Sequence, residues 1–151
     1  MTGGSIWGTT PRQSIEAACA ERGAGRVVAS CIELIGGGDI DPELIASLGG
    51  PAAPRYVDAP PGRRYWLRVW GTRGLLWALG AEGAPPAGDP AVVAALVAAV
   101  ADDRWRVREL GAKVIARYRV DECQPAMSVL SHDEVPRVRA AASRALRLLT
   151  T

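Results

Sequence analysis

Three ten-residue segments of this 151-residue chain align without a gap: WLRVWGTRGL from Trp66, RVRELGAKVI from Arg106 and RVRAAASRAL from Arg137. Each reads as an aliphatic residue, an Arg, two variable positions, a Gly or Ala, one variable position, a basic residue, one more position, then Leu or Ile. Successive copies begin 40 and 31 residues apart, the scale of one helical hairpin per repeat.

The pattern has a physical meaning on a helix. Leu67, Gly71, Gly74, Leu75 and Ala78 recur at the spacing of a single helical face. So do Val107, Gly111, Val114, Ile115 and Tyr118, and Val138, Ala142, Ala145, Leu146 and Leu149. The small residue one turn after the first aliphatic lets a neighbouring helix approach closely. A lone helix cannot hide such a face, whereas stacking against the next hairpin does.

The rest of the chain agrees with an all-α class. Apolar residues make up 48% of the sequence, Phe is absent, and Ala and Leu, both strong helix formers, dominate. Helices are predicted over 11–22, 25–35, 42–48, 63–79, 90–101, 104–118, 122–130 and 135–149. Gly- and Pro-rich stretches at 36–38, 49–62 and 81–88 separate them. Asp41-Pro42 and Asp89-Pro90 each place a capping carboxylate before a proline at the first helical position, where no N–H is needed.

Asp103–Arg108 (DRWRVR) and Pro136–Ala142 (PRVRAAA) resemble the second helix of a HEAT repeat. The helices before them resemble first helices. The resemblance covers 90–149 well and 63–79 fairly. It implies a short α-α superhelix, a HEAT-like α-solenoid of about three to four hairpins, whose usual task is partner binding. On this basis the chain is a single domain, with 63–151 as repeats and 1–62 as an atypical helical cap of degenerate hairpins. In such repeats Arg68, Arg108 and Arg139 are expected to pair with turn acids such as Asp102, Asp103 and Asp133, forming a structural ladder. Direct ligand contact by these Arg residues is the other reading.

Charge divides unevenly. Residues 1–62 carry 4 basic and 7 acidic side chains, net −3; residues 63–151 carry 14 and 9, net +5. The basic half suits an anionic partner, although a solvated face of ordinary Arg residues gives the same count. Beside the core face of the first repeat helix, Trp66, Trp70, Arg73 and Trp77 form a stripe. The equivalent positions further on hold Arg106, Lys113 and Arg117, then Arg137 and Arg144. Second helices of solenoids line the concave surface, so these nine residues form the candidate binding patch. Guanidinium groups grip phosphates or carboxylates, and indole faces stack on bases or on Arg. Two readings stand for Trp70 and Trp77: part of this stripe, or core beneath the N-terminal segment.

Catalytic signatures are lacking. The single His132 lies in an inter-helix turn and no GxSxG is present, so no catalytic residue is assigned. No His/Cys cluster has metal spacing and no Gly-rich loop follows a strand, so neither metal nor cofactor is expected. Cys19, Cys31 and Cys123 are odd in number and widely spaced, which suits buried free thiols rather than disulfides. No apolar run reaches the ~18 residues of a membrane span, and the N-terminus lacks a signal-peptide pattern. A soluble cytoplasmic protein without membrane contact is the expectation.

The leading expectation for function is therefore a non-enzymatic helical-repeat binding module that recognises a protein partner through its concave helix face. The alternative is nucleic-acid binding, including a HEAT-like DNA glycosylase for alkylated bases that would recruit Trp66, Trp70, Arg73, Arg106 and Glu109 or Asp103. A small-molecule pocket beside Trp70 is a third.

Overall fold

Local chemistry at the helix starts sets most of the secondary structure. The computed structural model describes residues 10–38, 41–60 and 62–150. Thr10 accepts from the Gln13 N–H at 3.1 Å while the Gln13 side chain accepts from the Thr10 N–H at 2.9 Å. This capping box starts α1, Pro11–Arg22. Gly23 ends it at φ +92°, a conformation open to a residue without Cβ, and α2 follows directly as Ala24–Ile35. Asp41 caps α3, Pro42–Gly49, by accepting from the Glu43 and Leu44 N–H groups. A 3-10 turn, Ala53–Tyr56, leads toward α4, Tyr65–Ala78. Asp89 caps α5, Pro90–Val100, through the Ala91 N–H. Then come α6, Trp105–Tyr118, a 3-10 turn Asp121–Cys123, α7, Gln124–Leu130, and α8, Pro136–Leu149. Among the described residues the fold is all-helical, as expected, with no strand. The helix ends fall within two residues of the sequence prediction.

The chain forms two compact units, Met1–Pro85 and Pro86–Thr151. In the first, α1 pairs with α2 and α3 with α4, and the two second helices, α2 and α4, share the largest helix contact. The packing is close because of two glycines. A Cβ on Gly71 would stand 2.9 Å from Leu34 Cβ, and one on Gly74 would stand 2.9 Å from Leu48 Cδ2 while also striking Cys31 Sγ. Ile15, Val27, Val28, Cys31, Leu44, Ile45, Leu48 and Leu75 fill the core. Arg22, at the end of α1, ties α3 down by pairing with Asp41 and, at 3.1 Å, with Glu43. The fourth helix, expected from sequence to head the repeats, thus packs with α1–α3.

The second unit repeats this layout. The hairpins are α5/α6 and α7/α8, and α6 against α8 is the largest contact. Val107, Gly111, Val114 and Ile115 of α6, with Val138, Ala142 and Ala145 of α8, are buried. These are the positions that the sequence pattern assigns to one face. A Cβ on Gly111 would lie 2.8 Å from Val100 Cγ1 and 3.3 Å from Ala99 Cβ, so α5 and α6 need that glycine for their approach. No helix among the described residues is long and apolar enough to cross a membrane.

Candidate functional site

The Trp stripe and the basic positions fall in different units. In the first unit Trp70 is a core residue, 7% exposed. Its ring lies where a Cβ on Gly49 would sit, meets Tyr56 edge-on at 5.2 Å and stacks on Trp66 at 6.2 Å. Tyr65 stacks on the other neighbour, Trp66, at 5.1 Å. Of the two readings for Trp70, burial beneath neighbouring structure is the one found, because the 3-10 turn folds Tyr56 over it. Trp66 and Trp77 are half-buried, and Arg12 lies 4.9 Å over the Trp77 ring. Arg73 is also half-buried; it donates to the Leu48 carbonyl, and burial pulls its pKa below the usual value. Trp70 and Arg73 therefore brace α3 against α4. An open cleft of about 450 Å³ lies nearby, lined by residues including Arg55, Tyr56 and Arg63, but by none of Trp66, Trp70 and Trp77.

The second unit holds the cations. Arg106, Lys113 and Arg117 on α6, and Arg137 and Arg144 on α8, are all exposed. Their exposure follows from the helical period. Val107, Gly111, Val114 and Ile115 point inward, and Arg106, Lys113 and Arg117 fall about 100° or more around the helix from the middle of that face. The first turns of α6 and α8 lie side by side, and there the geometry is specific. Arg137 donates from Nε to Glu109 Oε2 at 3.0 Å, and Lys113 Nζ stands 3.8 Å from the same oxygen. The Trp105 ring is approached by the Arg106 guanidinium at 4.5 Å and the Arg137 guanidinium at 5.4 Å. Glu109 is buried, 8% exposed, whereas the Arg137 side chain is 67% exposed. Among the described residues the Nη1 and Nη2 groups of Arg137 make no hydrogen bond, and Arg144 has no ionic partner. The guanidinium plane is thus held from one edge by Glu109 and laid against Trp105, with its outer edge facing solvent.

One residue of this cluster, Trp105, escaped sequence reasoning, and Glu109 is named there only for the glycosylase alternative. Trp105 was outside the repeat alignment, one residue before it. Glu109 sat at a position read as variable. The signal for both was their spacing of four on one helix, but their link to Arg137 is not local.

The ladder positions differ among themselves. Arg108 grips Asp133 with two bonds, Nε to Oδ2 at 2.8 Å and Nη2 to Oδ1 at 3.1 Å, and donates from Nη1 to the Asp102 carbonyl at 2.9 Å. Both side chains are nearly buried, at 12% and 10%. Burial pushes the Asp133 carboxyl up, but the Arg108 bond, the Val135 N–H and the charges of Arg108 and Arg139 outweigh it, so its pKa lies below the ordinary carboxylate value. Arg139 reaches the carbonyls of Asp133 and Glu134 instead of a carboxylate. Arg68 is half-buried and Asp103 exposed.

Other reactive groups do not gather. His132 is exposed in the turn before α8. Cys19, Cys31 and Cys123 are buried and free; burial raises all three thiols, Cys123 to about 11, so they stay protonated at neutral pH. Among the described residues no group of three His, Cys, Asp or Glu is placed to hold a metal. A scan against known protein-family models, a search of curated proteins and a search of solved structures find no match to the chain.

Proposed function

We propose that the chain is a HEAT-like α-solenoid binding module that engages a protein partner through the solvent face of α6 and α8. One observation carries this reading. Two second helices of adjacent hairpins pack side by side, bury one common face and turn five cations outward. The α1/α2 and α3/α4 hairpins repeat the layout in the first unit, which supports the repeat reading. The Arg108–Asp133 bridge supports it too, since it joins one second helix to the turn that precedes the next.

The test uses Arg106→Glu with Lys113→Glu. Both side chains are exposed, so circular dichroism should stay close to wild type, with a modest fall in melting temperature because Lys113→Glu sets a second carboxylate beside Glu109. Partners retained on the immobilised wild-type chain should be lost from the double variant. Recovery of the same set would remove this face from the function.

A second reading, nucleic-acid binding, draws on Trp105 and its two guanidinium neighbours, a composition suited to base stacking and phosphate contact. Binding through several phosphates weakens steeply with salt. Duplex and single-stranded DNA titrated at low and moderate salt separate the readings: no binding at either salt excludes this one.

A further inference from the structure

The cations of the second unit are arranged, not merely numerous. Arg106 and Lys113 on α6 are seven residues apart, as are Arg137 and Arg144 on α8, and the two pairs occupy equivalent positions of the repeat. Seven residues of helix span about 10.5 Å. Neighbouring helix axes lie about 8–10 Å apart. Each helix thus carries two cation positions about 10.5 Å apart along its axis, while the side chains of Lys113 and Arg137 converge across the two helices on one Glu109 oxygen.

That convergence already shows what these cations recognise. Arg137 holds a carboxylate, that of Glu109, through Nε, and Lys113 shares the same oxygen. The Trp105 ring and Glu109 together fix the guanidinium plane. A guanidinium fixed in this way keeps its outer fork, Nη1 and Nη2, ready for a second planar anion, and a carboxylate fits that fork with two parallel bonds. Pre-orientation matters because a free Arg side chain loses much rotamer freedom on binding.

The partner that Arg137 already takes is a carboxylate, which favours an acidic peptide. In an extended peptide, residues three apart are about 10 Å apart, which matches the spacing of the charges along each helix.

Resting on the reading of this face as a protein interface, we propose that it binds an acidic peptide segment with Asp or Glu about three residues apart, anchored at Arg137 and Arg144 on α8 and at Lys113 on α6, with Glu109 and Trp105 as positioning residues. Arg137 takes one carboxylate in its outer fork. Arg144 takes the next, and Lys113, beside Arg137 at Glu109, adds charge at the first.

The experiment is fluorescence anisotropy on the full chain with a labelled peptide of Glu-Ala-Ala repeats. The matching Gln-Ala-Ala peptide and a labelled duplex DNA are the other probes. The acidic peptide should bind, weaken with added salt, and lose at least tenfold in affinity in Arg137→Glu with Arg144→Glu. The Gln peptide should not bind. Trp105→Leu should weaken the acidic peptide several-fold without altering the melting curve as a large core loss would. Arg137→Lys, which keeps the charge but removes the fork, should not restore wild-type affinity. Equal binding of both peptides, unchanged affinity in the double charge reversal, or binding of DNA without the acidic peptide would each overturn the proposal. Should the Arg106→Glu, Lys113→Glu chain lose its partners while the acidic peptide fails to compete for them, this chemistry is wrong and the interface reading stands. Should that chain keep its partners, the interface reading itself fails.

Discussion

Gly111 shows how much one missing Cβ decides. Its absence lets Val100 and Ala99 of α5 close on α6. Gly111→Leu inserts a branched side chain into a filled space and should destabilise by about 1–3 kcal/mol, read as a lower urea midpoint. An unchanged midpoint would mean that α5 and α6 do not approach there. Arg108 and Asp133 offer a second test at this scale. Arg108→Ala strands a nearly buried carboxylate and should cost about 3 kcal/mol. The same pair gives a pH signature. The folded pKa of Asp133 lies below its unfolded value, so the stability it contributes is complete above about 4 and is lost as pH falls through the folded pKa. Urea midpoints between pH 2 and 6 should therefore fall toward acid in the wild type and fall less in Asp133→Asn. Parallel curves for the two would remove Asp133 from the acid response.

Among the elements, α5 is the most exposed to a single loss. Its eleven residues, PAVVAALVAAV, hold no charge and no polar side chain, so nothing along the helix offsets an open N-terminus. Asp89 satisfies that end by accepting from the Ala91 N–H. Asp89→Ala should cost about 1 kcal/mol, and Asp89→Ser should recover most of it. Equal melting temperatures for all three chains would place the start of α5 under the control of packing instead. The fourth helix behaves differently. It has no side-chain cap, and it is held by Gly71 and Gly74 against α2 and by Trp70 beneath Tyr56. Gly71 and Gly111 are equivalent in the repeat alignment, yet Gly71 meets α2 while Gly111 meets its own hairpin partner, α5. One sequence position therefore serves two packing geometries.

At the scale of the molecule, the division at Pro85/Pro86 places two hairpins in each unit. Residues 86–151 have their own buried core, including Val92, Leu96, Val107, Ile115, Met127 and Val138. Expressed alone, 86–151 should stay helical by circular dichroism and melt cooperatively below the full chain, since a unit of about 60 residues is marginal in size. A non-cooperative melt would show that its fold depends on the rest of the chain. By this division the net charge is 0 over residues 1–85 and +2 over residues 86–151, and five of the six candidate cations, all but Arg73, belong to the second unit.

The amino-acid sequence alone determined the helical class, the helix ends to within two residues, the caps at Asp41 and Asp89, and the inward faces built on Leu67, Val107 and Val138. Each of these is local: a period of 3.6, a carboxylate before a proline and a glycine break all act within a turn or two of chain. The outward direction of Arg106, Lys113, Arg117, Arg137 and Arg144 was legible for the same reason. Only the tertiary structure decided that Trp70 is core, because that depends on Tyr56 arriving from a separate turn. It alone joined Trp105 and Glu109 to Arg137, across 32 and 28 residues of sequence, by setting α6 beside α8. It alone gave Arg108 a carboxylate and Arg139 only carbonyls. Periodicity states which way a side chain points along its own helix. Which neighbour it meets depends on where the next helix lies, and no spacing within one helix records that.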